Sequence, residues 1–135
     1  EELQAQAAQI AELEARLAAM TEERDALRAQ IEQMQELARL LGGQVCGSRP
    51  LIESGLLPHS VQIGQSGLTV KPELMINLAV SGAAQYKVGM QGAEYIISVN
   101  RDRSAAIFDY SDCGAVADFT SLVPALIAEI KKRSV

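Results

Sequence analysis

The hydrophobic positions of this chain change their rhythm once. The first 41 residues, EELQAQAAQIAELEARLAAMTEERDALRAQIEQMQELARLL, contain neither Gly nor Pro and consist mainly of strong helix formers. With Leu3 at heptad position a, Leu3, Ile10, Leu17, Arg24, Ile31 and Ala38 fall on a, and Gln6, Leu13, Met20, Leu27, Met34 and Leu41 on d. Nine of these twelve are apolar side chains larger than alanine, which predicts a coiled-coil helix over nearly six heptads. Such a helix is about 60 Å long at about 1.5 Å per residue, more than the rest of the chain can cover, so a partner helix is expected. Arg24 on a, and Glu23 on g facing Arg28 on e, set the register and weakly favour parallel pairing. A homodimer is the expected state, with a trimer and an antiparallel arrangement left open.

Gly42-Gly43 stops the helix, and the pattern then alternates between short apolar runs and short helical ones. QVCGSR reads as a strand, PLIESG as a brief helix with Pro50 near its start and Gly55 as its stop. VQIGQSGLTV reads as extended, and ELMINLAV as a buried strand leading into a helix over 83–90. EYIISVN and AAIFDYS read as two more strands, and a last helix runs from Pro124 to Arg133, its basic end facing the negative pole of its dipole. Strands that are apolar almost throughout, alternating with helices, predict a mostly parallel α/β sheet. Two domains follow, a coiled-coil helix over 1–41 and an α/β domain over 42–135.

Composition narrows the function. Of the 135 residues, 48% are hydrophobic, enough for one core, and Trp is absent. Nothing resembles a signal peptide or a membrane-spanning run, so a cytoplasmic protein is expected, with no membrane partner. Cys46 and Cys113 lie far apart without metal-ligand spacing, which predicts reduced thiols and no metal site. Residues 1–41 carry nine acidic and four basic side chains and residues 42–135 carry eight of each, so the net charge of −5 belongs to the helix. Neither part has the basic stripe of a nucleic-acid binder. The single His, His59, lies in the loop LLPHSV with no Ser-x-Gly elbow, which leaves hydrolysis without a constellation.

What remains is a set of polar residues at strand ends. Ser48-Arg49 follow QVCG, Ser81-Gly82 follow LAV, Asn100-Arg101-Asp102 follow IISV, and Asp112 to Asp118 follow IFDY. Singly they have plain readings: Asn100 a turn residue, Arg49 a surface cation, Ser81 a helix cap. Jointly they line the rim where α/β sheets bind ligands. LAVSGAAQYKVGM, a strand turning into a helix through Ser-Gly, leaves backbone N–H groups suited to a phosphate.

The segments PELMINLAVSGAAQYKVGM, ISVNRD and AAIFDYSDCGAVAD, preceded by VCGSRPLIESGLLPHSVQIGQSG, resemble the FAD-binding C-terminal domain of the electron transfer flavoprotein alpha subunit. That signature carries Ser-Gly-Ala, Gln-His, Gly-Met, Ala-Ile-Asn-Lys-Asp, Ala-Pro-Ile-Phe and Asp-Tyr-Gly-Ile-Val-Ala-Asp, and the match runs from about Leu40 to the C-terminus with almost no gaps. The resemblance implies a doubly wound, mostly parallel sheet of the deoxyhypusine synthase-like NAD/FAD-binding type, and FAD as cofactor. It implies Arg49 over the flavin ring and the Ser66 hydroxyl toward N5. Ser48, Gln65, Ser81 and Gln85 would contact the ring edge, ribityl chain or pyrophosphate, and Asn100 and Asp118 the adenosine side. Ile63, Gly64, Gly82, Ala83, Ala84, Tyr86 and Phe119 complete the implied lining.

The chain departs from the pattern at several points. Ser66 replaces a Thr, Ala79 a Gly, Tyr86 a His that bonds the flavin C2 carbonyl, Ala106 a Pro and Cys113 a Tyr. The long helix also stands where the family has a strand and a Gly-Gly-Arg-Gly turn, as in a reduced version or a fusion. The resemblance implies an electron carrier, not a catalyst with its own substrate, working with a beta-type flavoprotein subunit and a dehydrogenase. The alternative is a coiled-coil scaffold bearing a partial or empty flavin site.

Overall fold

The computed structural model describes residues 1–64 and 67–133. The chain divides into two compact units, Glu1–Gln33 and Met34–Val135. The first is the leading part of one continuous helix, α1, Glu2–Leu41. Its leading seam positions face solvent, Leu3 at 80% exposed and Leu17 and Met20 at 65% each, whereas Ile31, also on a, is buried at 4%. The helix ends where the sequence places its stop. Gly42 adopts φ 70, and the Gly43 N–H bonds the Ala38 carbonyl at 2.7 Å, a left-handed closure that glycine enters without Cβ strain.

The second unit is α/β. After α2 (Arg49–Glu53) come β1 (Leu74–Leu78), α3 (Ala84–Met90), β2 (Tyr95–Asn100), β3 (Cys113–Val116) and α4 (Phe119–Arg133). The strands form one parallel sheet in the order β1-β2-β3, with Asn77 opposite Ser98 and Ser98 opposite Gly114. Parallel neighbours need crossovers, and α3 makes the first of these. Met75 packs with Met90, Ile96 and Ile107 on one side. Ile76 and Leu78 pack with Leu37, Val123 and Ile127 on the other. The sheet is therefore sandwiched between helices, which is why its strands read as continuous apolar runs and not as alternating ones. The last turns of α1 join this core through Leu37 and Leu40.

Three elements differ from the sequence reading. QVCGSR forms no strand among the described residues, only an isolated bridge from Gly47 to Gln62. AAIFDYS is not a strand but a 3-10 turn, Ala106–Tyr110. Its apolar side chains reach the core from a turn, with Ile107 fully buried and the Ser111 hydroxyl donating to the Ile107 carbonyl at 2.7 Å. The third strand comes just after it, at CGAV, where a Cβ on Gly114 would stand 2.7 Å from the Phe108 ring. The last helix begins at Phe119 rather than Pro124 because Asp118 caps it, its carboxylate accepting from the Thr120 N–H at 3.0 Å and hydroxyl at 2.7 Å. Pro124 then lies inside the helix, where it has no N–H to give the Thr120 carbonyl one turn back.

Candidate functional site

The loop from β1 to α3 lies at the carboxyl edge of the sheet. Ala79 leaves the strand with φ 61, the only non-glycine positive φ among the described residues, and Gly82 follows with φ 91. Ser81 does not cap α3 as expected. The helix opens from Ala83 with no side-chain cap, while the Ser81 carbonyl accepts the Ile107 N–H at 2.9 Å and its side chain stays exposed. Gly82 is required by the chain itself, since a Cβ there would collide with the backbone of Ile107 and Ala106. The N–H groups of Ser81, Gly82, Ala84 and Gln85 have no protein acceptor among the described residues.

The β2 and β3 ends add polar side chains beside that loop. Asn100 Nδ2 donates to the Val80 carbonyl at 3.1 Å, and its Oδ1 accepts the Asp102 N–H at 2.8 Å. Arg101 Nη1 stands 3.7 Å from Asp118 Oδ2. Hydrogen bonds from the Thr120 hydroxyl and N–H hold the Asp118 carboxyl below its ordinary pKa. Asp112, expected on this rim, lies at the opposite end of the sheet, where its carboxylate accepts the Ile96 N–H at 2.8 Å.

The other flank is built by two backbone tethers. Gly47 donates to Val61 at 3.0 Å and accepts from Ile63 at 2.9 Å, drawing Ser48 and Arg49 toward Ile63 and Gly64. A Cβ on Gly64, with φ 138, would lie 3.0 Å from the Gln85 carbonyl, and one on Gly89 would press on Ile63 and Leu68. The segment therefore lies directly on α3. Ser48 precedes α2 without a side-chain cap bond, and Arg49 is exposed and bonded to Glu53 of its own helix at 2.9 Å. Gln65 and Ser66 lie outside the described residues.

Two of the implied positions turn inward. Phe119 packs beside Leu37, Val123 and Ile127. Tyr86 is 9% exposed and donates to Asn77 Oδ1 at 2.7 Å. Asn77 in turn reaches Ser98 Oγ at 3.3 Å, which lies 2.6 Å from Ser111 Oγ. This buried polar chain was overlooked in the sequence, although Asn77 and Ser98 interrupt otherwise apolar strands.

The sequence profile of the family described as "Electron transfer flavoprotein FAD-binding domain" matches residues 24–91. The chain belongs to this family. It is 44% identical over 103 residues to Protein FixB of Rhizobium meliloti, 76% of this chain and 29% of that protein. It is 44% identical over 102 residues to the electron transfer flavoprotein subunit alpha of Syntrophomonas wolfei, covering 76% of this chain and 32% of the relative. To the acryloyl-CoA reductase electron transfer subunit beta of Anaerotignum propionicum it is 48% identical over 99 residues, 73% and 27% of the two chains. The chain thus spans about a third or less of these curated relatives. The family's cofactor is FAD. The donor set fits it: the N–H groups of Ser81, Gly82, Ala84 and Gln85, without acceptors among the described residues, suit a diphosphate, and Ser81, Asn100 and Asp118 suit hydroxyl-bearing parts. No helix among the described residues is long and apolar enough to cross a membrane.

Proposed function

We propose that this electron transfer flavoprotein domain holds FAD at the carboxyl edge of its sheet and passes electrons between a flavin dehydrogenase and an acceptor. The observation that carries the reading is the β1–α3 loop, whose N–H groups at Ser81, Gly82, Ala84 and Gln85 lack acceptors among the described residues while Asn100 fixes the loop through Val80. Bound FAD supplies the electron-accepting chemistry; the chain supplies binding, orientation and electrostatics. Loop N–H groups hold the diphosphate. Ser48, Arg49, Ile63, Gly64, Gln65 and Ser66 line the flavin side with Gln85. Asn100 and Asp118 take the adenosine side, Asp118 as an ionised acceptor kept charged by Thr120. Arg49 swings from Glu53 to the flavin, an exposed pair that costs little to break.

The sandwiching of the sheet between α3 and the α1–α4 layer supports its being part of a doubly wound sheet of the deoxyhypusine synthase-like type. The names of the relatives support a beta-type subunit and a dehydrogenase as partners, and a cytoplasmic setting agrees with that role. The exposed a and d side chains Leu3, Ile10, Leu13, Leu17 and Met20 support a homo-oligomer through a coiled coil. Replacing Leu13 and Leu17 together by Lys should give a monomer in sedimentation, and a parent chain that is already monomeric would end the coiled-coil reading. For the cofactor, FAD titration by fluorescence quenching, with visible absorbance of the washed protein, decides. A parent chain that retains no flavin overturns the binding proposal.

A further inference from the structure

The polar chain through the sheet carries an inference beyond cofactor binding, although it rests on the flavin reading of the β1–α3 loop. Four side chains from four places in the sequence meet in it. Tyr86 of α3 donates to Asn77 of β1 at 2.7 Å, Asn77 to Ser98 of β2 at 3.3 Å, and Ser98 lies 2.6 Å from Ser111. Ser111 donates to the Ile107 carbonyl at 2.7 Å, and the Ile107 N–H returns to the Ser81 carbonyl at 2.9 Å, back in the same loop. Asn77 and Ser98 are 1% and 0% exposed, and every buried side-chain polar atom among the described residues has a partner. The path closes on itself: it leaves the loop through α3, crosses two strands, and re-enters through the 3-10 turn.

We propose that Tyr86 is a positioning residue that locks the β1–α3 loop through Asn77, Ser98 and Ser111, with its hydroxyl committed to the sheet and withheld from the flavin. A phenol aimed at a ligand would stand at the rim with a free donor. This one is spent on Asn77, under a ring packed among Ile63, Met90 and Ile107. Burial, and secondarily the nearby Cys46, push its pKa well above the ordinary tyrosine range, in keeping with a hydroxyl that stays protonated. The second turn of α3 is tied separately, by Lys87 Nζ at 4.2 Å over the Tyr110 ring, so loss of the Tyr86 hydroxyl should loosen the loop before the helix.

Hydrogen exchange and flavin titration of the full chain and of Tyr86→Phe test this. Exchange of the flavin-free protein should rise severalfold at the amides of 79–86 and stay unchanged in α4. A uniform rise would mean a merely structural bond, and no rise would mean that the hydroxyl holds nothing; either overturns the proposal. In titration, Tyr86→Phe should bind FAD about tenfold more weakly, while the spectrum and midpoint potential of the bound flavin match the parent. A shifted spectrum or potential with unchanged affinity would make Tyr86 a direct flavin ligand and overturn the proposal from the other side. Asn77→Val should reproduce both the local exchange and the affinity loss, and the double variant should add nothing further; additive losses would break the Tyr86–Asn77 link. If the parent takes no FAD, the flavin reading fails, while the exchange pattern still decides whether Tyr86 locks the loop.

Discussion

The leading part of α1 and the α/β unit hold apolar residues in opposite ways. In the first, Leu3, Leu17 and Met20 are more than half exposed along one continuous helix. In the second, Met90 and Ile107 are fully buried, and glycines bring backbone against backbone. The helix is specified locally, by propensity and period, and loses little of itself when a side chain changes. The α/β unit is specified by contacts distant in sequence, so one added carbon can be decisive.

The largest contrast should appear at two glycines, both with positive φ. Gly82→Val drives a side chain into the Ile107 backbone, and urea unfolding of the α/β unit should show a loss of about 3 kcal/mol or more. Gly42→Val meets nothing within 4 Å and should lose only the left-handed strain, about 1–2 kcal/mol. Equal losses would erase the distinction between crowded and merely left-handed glycines. A middle effect is expected at Asn77→Ala, which leaves the Tyr86 hydroxyl without its acceptor and Ser98 with Ser111 alone, about 1–3 kcal/mol in the local opening of 79–86 read by hydrogen exchange.

A gain of about 1 kcal/mol is expected from Ala79→Gly, read as a higher melting temperature, because Ala79 holds φ 61 where a Cβ is disfavoured. The smallest effect concerns Glu36. Its hydrogen bonds to Arg39 and then Lys131 depress its pKa from 4.5 to about 2. A depressed carboxylate stabilises the fold above its unfolded value, so this contribution is complete above pH 4.5 and disappears as pH falls toward about 2. Glu36→Gln should flatten that part of the acid-unfolding curve. An unchanged curve would show that the exposed cluster contributes nothing.

Legibility in the sequence follows the same division. The span of α1, its stop at Gly42, strands β1 and β2, and the helix between them could all be read, because period and punctuation are local signals. Strand β3 could not, since Cys113-Gly114-Ala115-Val116 is short, and the more apolar AAIFDYS beside it buries its side chains from a turn. At the site, the Ser81–Gln85 loop, Asn100 and Asp118 were legible as strand-end residues. The reason for Gly82 was not, because the backbone it touches lies at Ile107, and neither was the inward turn of Tyr86, whose partner sits on another element. Side-chain direction across elements leaves no periodic trace.

The strand order has a consequence in time. Each strand pairs with the next in sequence, β1 with β2 and β2 with β3, so the sheet can assemble stepwise, each pairing closing a loop short enough to cost little chain entropy. Leu37 meets Val123 and Ile127 across nearly the whole unit, and that closure must wait until the sheet offers Ile76 and Leu78 as a surface. Substitutions at Leu37 should therefore speed unfolding and leave refolding almost untouched, while those at Ile96 slow refolding. The helix that forms first by itself would be the last to find its place against the sheet.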